Sequence, residues 1–121
     1  MAHILVVDDD PDIRDVMSRT LERAGHDVAV ASDGSEAADM HVRREFDLIV
    51  SDLLMPGMNG IELTQLIRAD PRCDIPILLV TASATSGDLE DAEAAGVTAH
   101  MPKPFKLAEL RDQVAALLAQ A

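Results

Sequence analysis

Five short apolar runs, each followed by a stretch of helical spacing, dictate most of what this chain can become. The runs cover residues 3–7, 28–31, 48–51, 77–80 and 98–101. The first, third and fourth show little alternation of apolar and polar side chains, the pattern of strands buried on both faces. The helical stretches have readable ends. Asp10 and Pro11 open the first; Ile13, Val16, Met17, Leu21 and Ala24 follow its 3.6-residue period, and Gly25 closes it. Asp33 with Glu36, and Asn59 with Glu62, have capping-box spacing for the second and third. The second is expected to end near Glu45, and the third, carrying Ile61, Leu66 and Ile67, before Pro71. The fourth, rich in Ala and acid, runs from about Gly87 to Ala95 and stops at Gly96. The fifth sets Leu107, Leu110, Val114, Leu117 and Leu118 on one stripe. Five βα units predict an α/β fold around a parallel sheet with right-handed crossovers.

Size and charge narrow the function classes. The 121 residues predict a single domain, 1–121, able to build a core without staples. With 22 acidic against 10 basic residues the net charge is −12, which repels both a phosphate backbone and an anionic membrane surface. No apolar run approaches the length of a bilayer span. Asp8, Asp9 and Asp10 interrupt any signal-peptide core, so a cytoplasmic location is expected. The lone Cys73 reads as an ordinary loop thiol, and His3, His26 and His41 as surface residues without metal-ligand spacing. The methionines need only packing to explain them, and the two aromatics, Phe46 and Phe105, offer no platform for stacking bases.

In open α/β sheets ligands gather beyond the carboxyl ends of the strands. Here those ends carry Asp8-Asp9-Asp10, Asp52, Thr81 and Lys103. Singly, each has an ordinary reading as turn, cap, strand end or surface charge. Together they crowd carboxylates at a cost of about 4 kcal/mol per pair at ~4 Å for an effective dielectric near 20, which calls for a cation. Hard oxygen ligands with positions left for water suit Mg²⁺. A metal beside a carboxylate, a hydroxyl and a lysine is equipment for handling a phosphoryl group.

Four ordered segments, ILVVDDDPDIR at 4–14, DLIVSDLLMPGMNGIEL at 47–63, PILLVTA at 76–82 and MPKPF at 101–105, make the chain resemble the receiver domain of two-component response regulators over nearly its whole length. The resemblance implies a doubly wound, flavodoxin-like sheet of strand order 2-1-3-4-5, the order also found in chemotaxis receivers. By position, Asp52 matches the phosphoacceptor, Asp9 the direct Mg²⁺ ligand, and Asp8 the partner that holds the metal through water. The Leu54 carbonyl would be a further metal ligand. Thr81 matches the switch hydroxyl, Ala82 the small neighbour that leaves room for the phosphoryl group, and Lys103 the lysine of a K-P pair joined by a cis peptide. Asp10 falls outside the metal pair and reads as a helix cap. His100 stands where tyrosine or phenylalanine is more usual, which leaves its part in switching open beside that of a plain strand residue. Leu54 and Ser83, at the positions that tune access of water, imply slow self-hydrolysis.

The implied function is a phosphorylation-activated signalling switch, not a turnover enzyme. Its donor would be a histidine kinase or histidine phosphotransfer protein, and its output surface the fourth helix, fifth strand and fifth helix. A Mg²⁺-dependent phosphohydrolase with an aspartyl nucleophile is the rival class, and such enzymes often place a second acid where Leu54 stands. A flavin site is excluded by the acidic loop after the first strand. A receiver that has lost its chemistry and only docks is at odds with the complete set of site residues. The sequence ends at Ala121 as the fifth helix completes, without a DNA-binding segment, which fits a stand-alone receiver or a piece of a longer protein.

Overall fold

The computed structural model describes residues 2–82 and 85–120. Ten elements alternate along the chain: β1 (His3–Val7), α1 (Pro11–Arg23), β2 (Asp27–Ala31), α2 (Gly34–Arg43), β3 (Leu48–Ser51), α3 (Gly60–Arg68), β4 (Ile77–Thr81), α4 (Ser86–Ala95), β5 (Ala99–Pro102) and α5 (Leu107–Gln120). The strands form one sheet in the order β2-β1-β3-β4-β5, every pair parallel. This is the doubly wound order expected from the sequence.

Strand periodicity divides the core in two. Ile4, Val6, Leu48, Val50, Leu78 and Val80 face one side, where Met17 and Leu21 of α1 and Leu110, Val114 and Leu117 of α5 cover them. Leu5, Val7, Ile49 and Ile77 face the other side against Ala37 of α2 and Leu63 and Ile67 of α3. Ala92 of α4 packs with Leu53 and Leu79 on a smaller third cluster. The three central strands are buried on both faces, apart from exposed His3, and the edge strands β2 and β5 are only partly covered.

Several local expectations are corrected. The second helix stops at Arg43, not near Glu45, and its capping box is half-formed. Asp33 accepts from the Glu36 amide, while the Glu36 carboxylate accepts from the Ser32 hydroxyl. The third helix ends at Arg68, before Pro71 as expected. The fourth begins at Ser86 behind an unforeseen Thr85–Asp88 capping box. The fifth strand starts at Ala99, because the Thr98 hydroxyl is used to accept from the Ile77 amide. Val16, Leu66 and Leu107 lie on the predicted apolar stripes yet stay exposed; Val16 and Leu66 stand one step round the helix from buried Met17 and Ile67, off the face that meets the sheet. His26 and His41 are half-buried, each with a buried Nδ1 that has no partner among the described residues. Cys73 is half-buried too, its Sγ 3.9 Å from His41 Nε2.

Candidate functional site

The carboxyl ends of β1, β3, β4 and β5 converge as the strand order requires. Asp8 follows β1 and is fully buried; its amide donates to the Ala31 carbonyl at 3.2 Å. Asp52 follows β3, and its amide continues the ladder by donating to Val7 at 2.9 Å. Thr81 ends β4 and is buried, and its carbonyl accepts from the Lys103 amide at 2.9 Å. Neighbouring strands therefore fix the backbone under each of these residues.

One ammonium ties the acids together. Lys103 Nζ lies 2.7 Å from Asp8 Oδ2 and 3.4 Å from Asp52 Oδ2. Burial alone would lower the lysine pKa, but the hydrogen bond to Asp8 and the two carboxylate charges more than offset it, so Lys103 is held above its ordinary value. Asp52 moves the other way from most paired acids. Burial, reinforced by the Asp8 charge, raises its carboxyl above the usual range despite the Lys103 ammonium. The result is a carboxylate poorly solvated and therefore more basic than one in water.

The turn after β1 presents the remaining acids. Asp10 caps α1, its side chain accepting from the amides of Asp12 and Ile13. The Asp10 amide donates back to Asp8 Oδ1 at 2.9 Å. Exposed Asp9 completes a cluster in which oxygens of Asp8, Asp9 and Asp52 all lie within 4.8 Å of one another. Its donors are oxygens only, and Asp9 opens the cluster to solvent. Such a set fits a hard divalent cation that keeps part of its water, and suits Mg²⁺ better than Zn²⁺.

Other expected positions lie at the rim. Leu54 is 56% exposed, two residues beyond Asp52. Ala82 is exposed beside Thr81, and Ser83 lies outside the described residues. The Lys103–Pro104 peptide is cis. His100 sits on edge strand β5, exposed, in register with Leu79 rather than next to Thr81. It lines a recess of about 360 Å³ between α4 and β5 and is not brought into the acid cluster.

Two contributors were not foreseen. Gly60, the first residue of α3, packs so tightly that an added Cβ would lie 2.4 Å from the Asp52 carbonyl oxygen. The signal was a glycine directly after the Asn59 cap, where a good helix former is otherwise favoured. Arg14, the first basic residue in the sequence, reaches back from α1 so that Nη1 donates to the Asp8 carbonyl at 2.9 Å. Its signal was a single cation in an otherwise acidic opening turn.

Comparison with known proteins agrees with this geometry. The profile of the response regulator receiver domain matches residues 4–115. The chain is 40% identical over 119 residues to the DNA-binding dual master transcriptional regulator RpaA of Synechocystis, covering 98% of this chain and 49% of that protein. It is 39% identical over 115 residues to the DNA-binding response regulator MtrA of Mycolicibacterium smegmatis, covering 95% and 50%. It thus spans about half the length of the curated relatives it matches. Among solved structures, the chemotaxis protein CheY4 of Vibrio cholerae superposes with a TM-score of 0.91 at 35% identity, over 97% of this chain and 98% of that one. The receiver domain of a sensor histidine kinase from Pseudomonas aeruginosa, with a magnesium ion coordinated in its active site cleft, gives a TM-score of 0.89 at 33% identity over 98% of each.

Proposed function

The chain belongs to the response regulator receiver family, the phosphorylation-activated switches of two-component signalling, and on that premise we propose that Asp52 is its phosphoacceptor. The observation that carries this reading is the Lys103 ammonium set between Asp8 and Asp52, with Asp9 completing the oxygen cluster. Asp8, Asp9, Asp52 and the Leu54 carbonyl are the groups to hold Mg²⁺. When bound, the ion neutralises charge on both the carboxylate and the incoming phosphoryl group.

The remaining chemistry belongs to the chain. The Asp52 carboxylate attacks the phosphorus of a phosphohistidine; the P–O bond forms as the P–N bond breaks and the imidazole leaves. Burial makes Asp52 the stronger nucleophile, while Lys103 keeps it ionised and offers its charge to the transferred oxygens. The Thr81 hydroxyl donates to one of those oxygens, and Ala82 leaves space for them. Leu54 carries no base to activate water, and with Ser83 it makes self-dephosphorylation slow, so the domain is a switch rather than a turnover enzyme.

The donor is a histidine kinase or histidine phosphotransfer protein in the cytoplasm. An apolar recess of about 300 Å³, lined by Ile13, Val16, Phe105 and Leu107 beside Lys103, gives it a docking place. The output leaves through α4, β5 and α5. There α4 buries only Ala92 and His100 stands exposed, free to reorient when Thr81 is drawn toward the phosphoryl group. Direct DNA contact is not part of domain 1–121, whose charge of −12 repels phosphate. None of the described helices is long and apolar enough to cross a membrane.

Intact-mass spectrometry after incubation with acetyl phosphate tests the assignment. One phosphoryl group is expected on the native chain with Mg²⁺, and none in chelator or on Asp52→Asn. Equal uptake by the native chain and Asp52→Asn would remove Asp52 from the role.

A further inference from the structure

We propose that Arg14 is a positioning residue for the acid cluster, orienting the Asp8 and Asp9 carboxylates toward a common cation by pinning the peptide that joins them. The proposal rests on the reading of that cluster as a Mg²⁺ site. Arg14 Nη1 donates to the Asp8 carbonyl at 2.9 Å, and that oxygen belongs to the peptide linking Asp8 to Asp9. The Asp8 side chain is already restrained by the Asp10 amide and by Lys103. The exposed Asp9 side chain has no such restraint among the described residues. Its direction is set by the backbone it grows from, and rotation of the Asp8–Asp9 peptide would swing it out of the cluster.

The choice of partner separates positioning from neutralisation. A guanidinium four residues beyond the last of three consecutive aspartates would ordinarily be expected to pair with a carboxylate, as Arg19 on the same helix pairs with Asp15. Arg14 forms no ion pair among the described residues and gives its hydrogen bond to a neutral carbonyl. Half-buried on the first turns of α1, it spans from a rigid helix to the one peptide on which the mutual orientation of the two acids depends. Partners of this outer kind commonly change metal affinity by tenfold or more.

Electrostatics and positioning predict opposite signs, so the experiment is decisive. Removing a cation next to a Mg²⁺ site should tighten binding by Coulomb's law alone. Losing the restraint should weaken it. Mg²⁺ affinity is read on the full chain from backbone amide NMR shifts of residues 8–10 and from melting shifts, for native protein, Arg14→Met, Arg14→Lys and Asp9→Ala. Arg14→Met is expected to bind Mg²⁺ roughly tenfold more weakly while melting within a few degrees of native in chelator. Arg14→Lys, which keeps a donor, should recover most of the affinity. Native or tighter binding by Arg14→Met overturns the proposal. So does a loss in Arg14→Met matched by an equal loss in Arg14→Lys, since the donor would then not be what matters. Should Arg14→Met fail to fold, Arg14→Lys and Arg14→Gln decide by the same comparison, a tighter-binding Arg14→Gln overturning it. Native Mg²⁺ response in Asp9→Ala would instead sink the underlying reading of the site.

Discussion

Lys103 neutralises Asp8, a carboxylate with no solvent exposure. Taking the ammonium away would strand that charge in a low-dielectric setting, and breaking a buried pair from one side costs about 3–5 kcal/mol. Lys103→Met should therefore be destabilised by roughly 3 kcal/mol in chelator and recover part of the loss when Mg²⁺ is added, with a larger Mg²⁺-dependent melting shift than the native chain shows. Native stability of Lys103→Met in chelator would mean that the Lys103–Asp8 pair does not carry the stability ascribed to it. The site residues on strand ends were legible because polar side chains directly after apolar runs have one place to go. His26 and His41 were not. His26 lies between α1 and β2, where no periodicity reveals burial, and His41, though within α2, is covered from Cys73, distant in sequence.

At the level of elements, capping chemistry was readable where it was local and failed where it depended on geometry. The Asn59–Glu62 pair forms a full reciprocal box, whereas Glu36 has the same spacing and turns to Ser32 instead. Burial along the helices was less legible than their existence, since an apolar stripe at the right period can be wider than the face the sheet covers, as exposed Val16 beside buried Met17 and exposed Leu66 beside buried Ile67 show. The docking of α3 is among the closest of these contacts. A Cβ on Gly60 would meet the Asp52 carbonyl oxygen at 2.4 Å and Leu79 Cδ2 at 2.9 Å. Gly60→Ala should therefore cost about 1–3 kcal/mol through overpacking and also slow phosphoryl uptake from acetyl phosphate, because the strain falls on Asp52 itself. Asn59→Ala, one residue away, should cost about 1 kcal/mol and leave the uptake rate nearly unchanged. Equal uptake rates in the two variants would show that the close approach does not govern the site.

For the whole molecule, the acid response combines opposing effects. Protonating surface carboxylates relieves self-repulsion at a net charge of −12. His26 works in the other direction. Burial, and secondarily the N-terminal charge, hold its imidazole below the ordinary value. The unfolded chain then takes up a proton that the folded chain refuses, so the contribution of His26 is fully present above pH ~6.5 and declines as pH falls through that value. His26→Gln should lose less stability than the native chain between pH 7.5 and 5.5 (about the span in which an ordinary imidazole titrates), as followed by urea denaturation; parallel curves would assign the acid sensitivity elsewhere. The global topology was the most legible property of all, because five βα units and the residues at their ends admit few arrangements. The Lys103–Asp8 pair gives that topology a further meaning. It joins residues 95 apart in sequence, with β3 and β4 lying between the strands that carry them. Contacts so distant along a chain form only after the intervening segments have been ordered. Under the proposed assignment of Asp52 as acceptor, a copy still emerging from the ribosome, or stalled partway through refolding, would carry that carboxylate without the ammonium beside it. On that assignment, competence to receive a signal would itself certify completed folding, and defective copies would stay silent without any separate inspector.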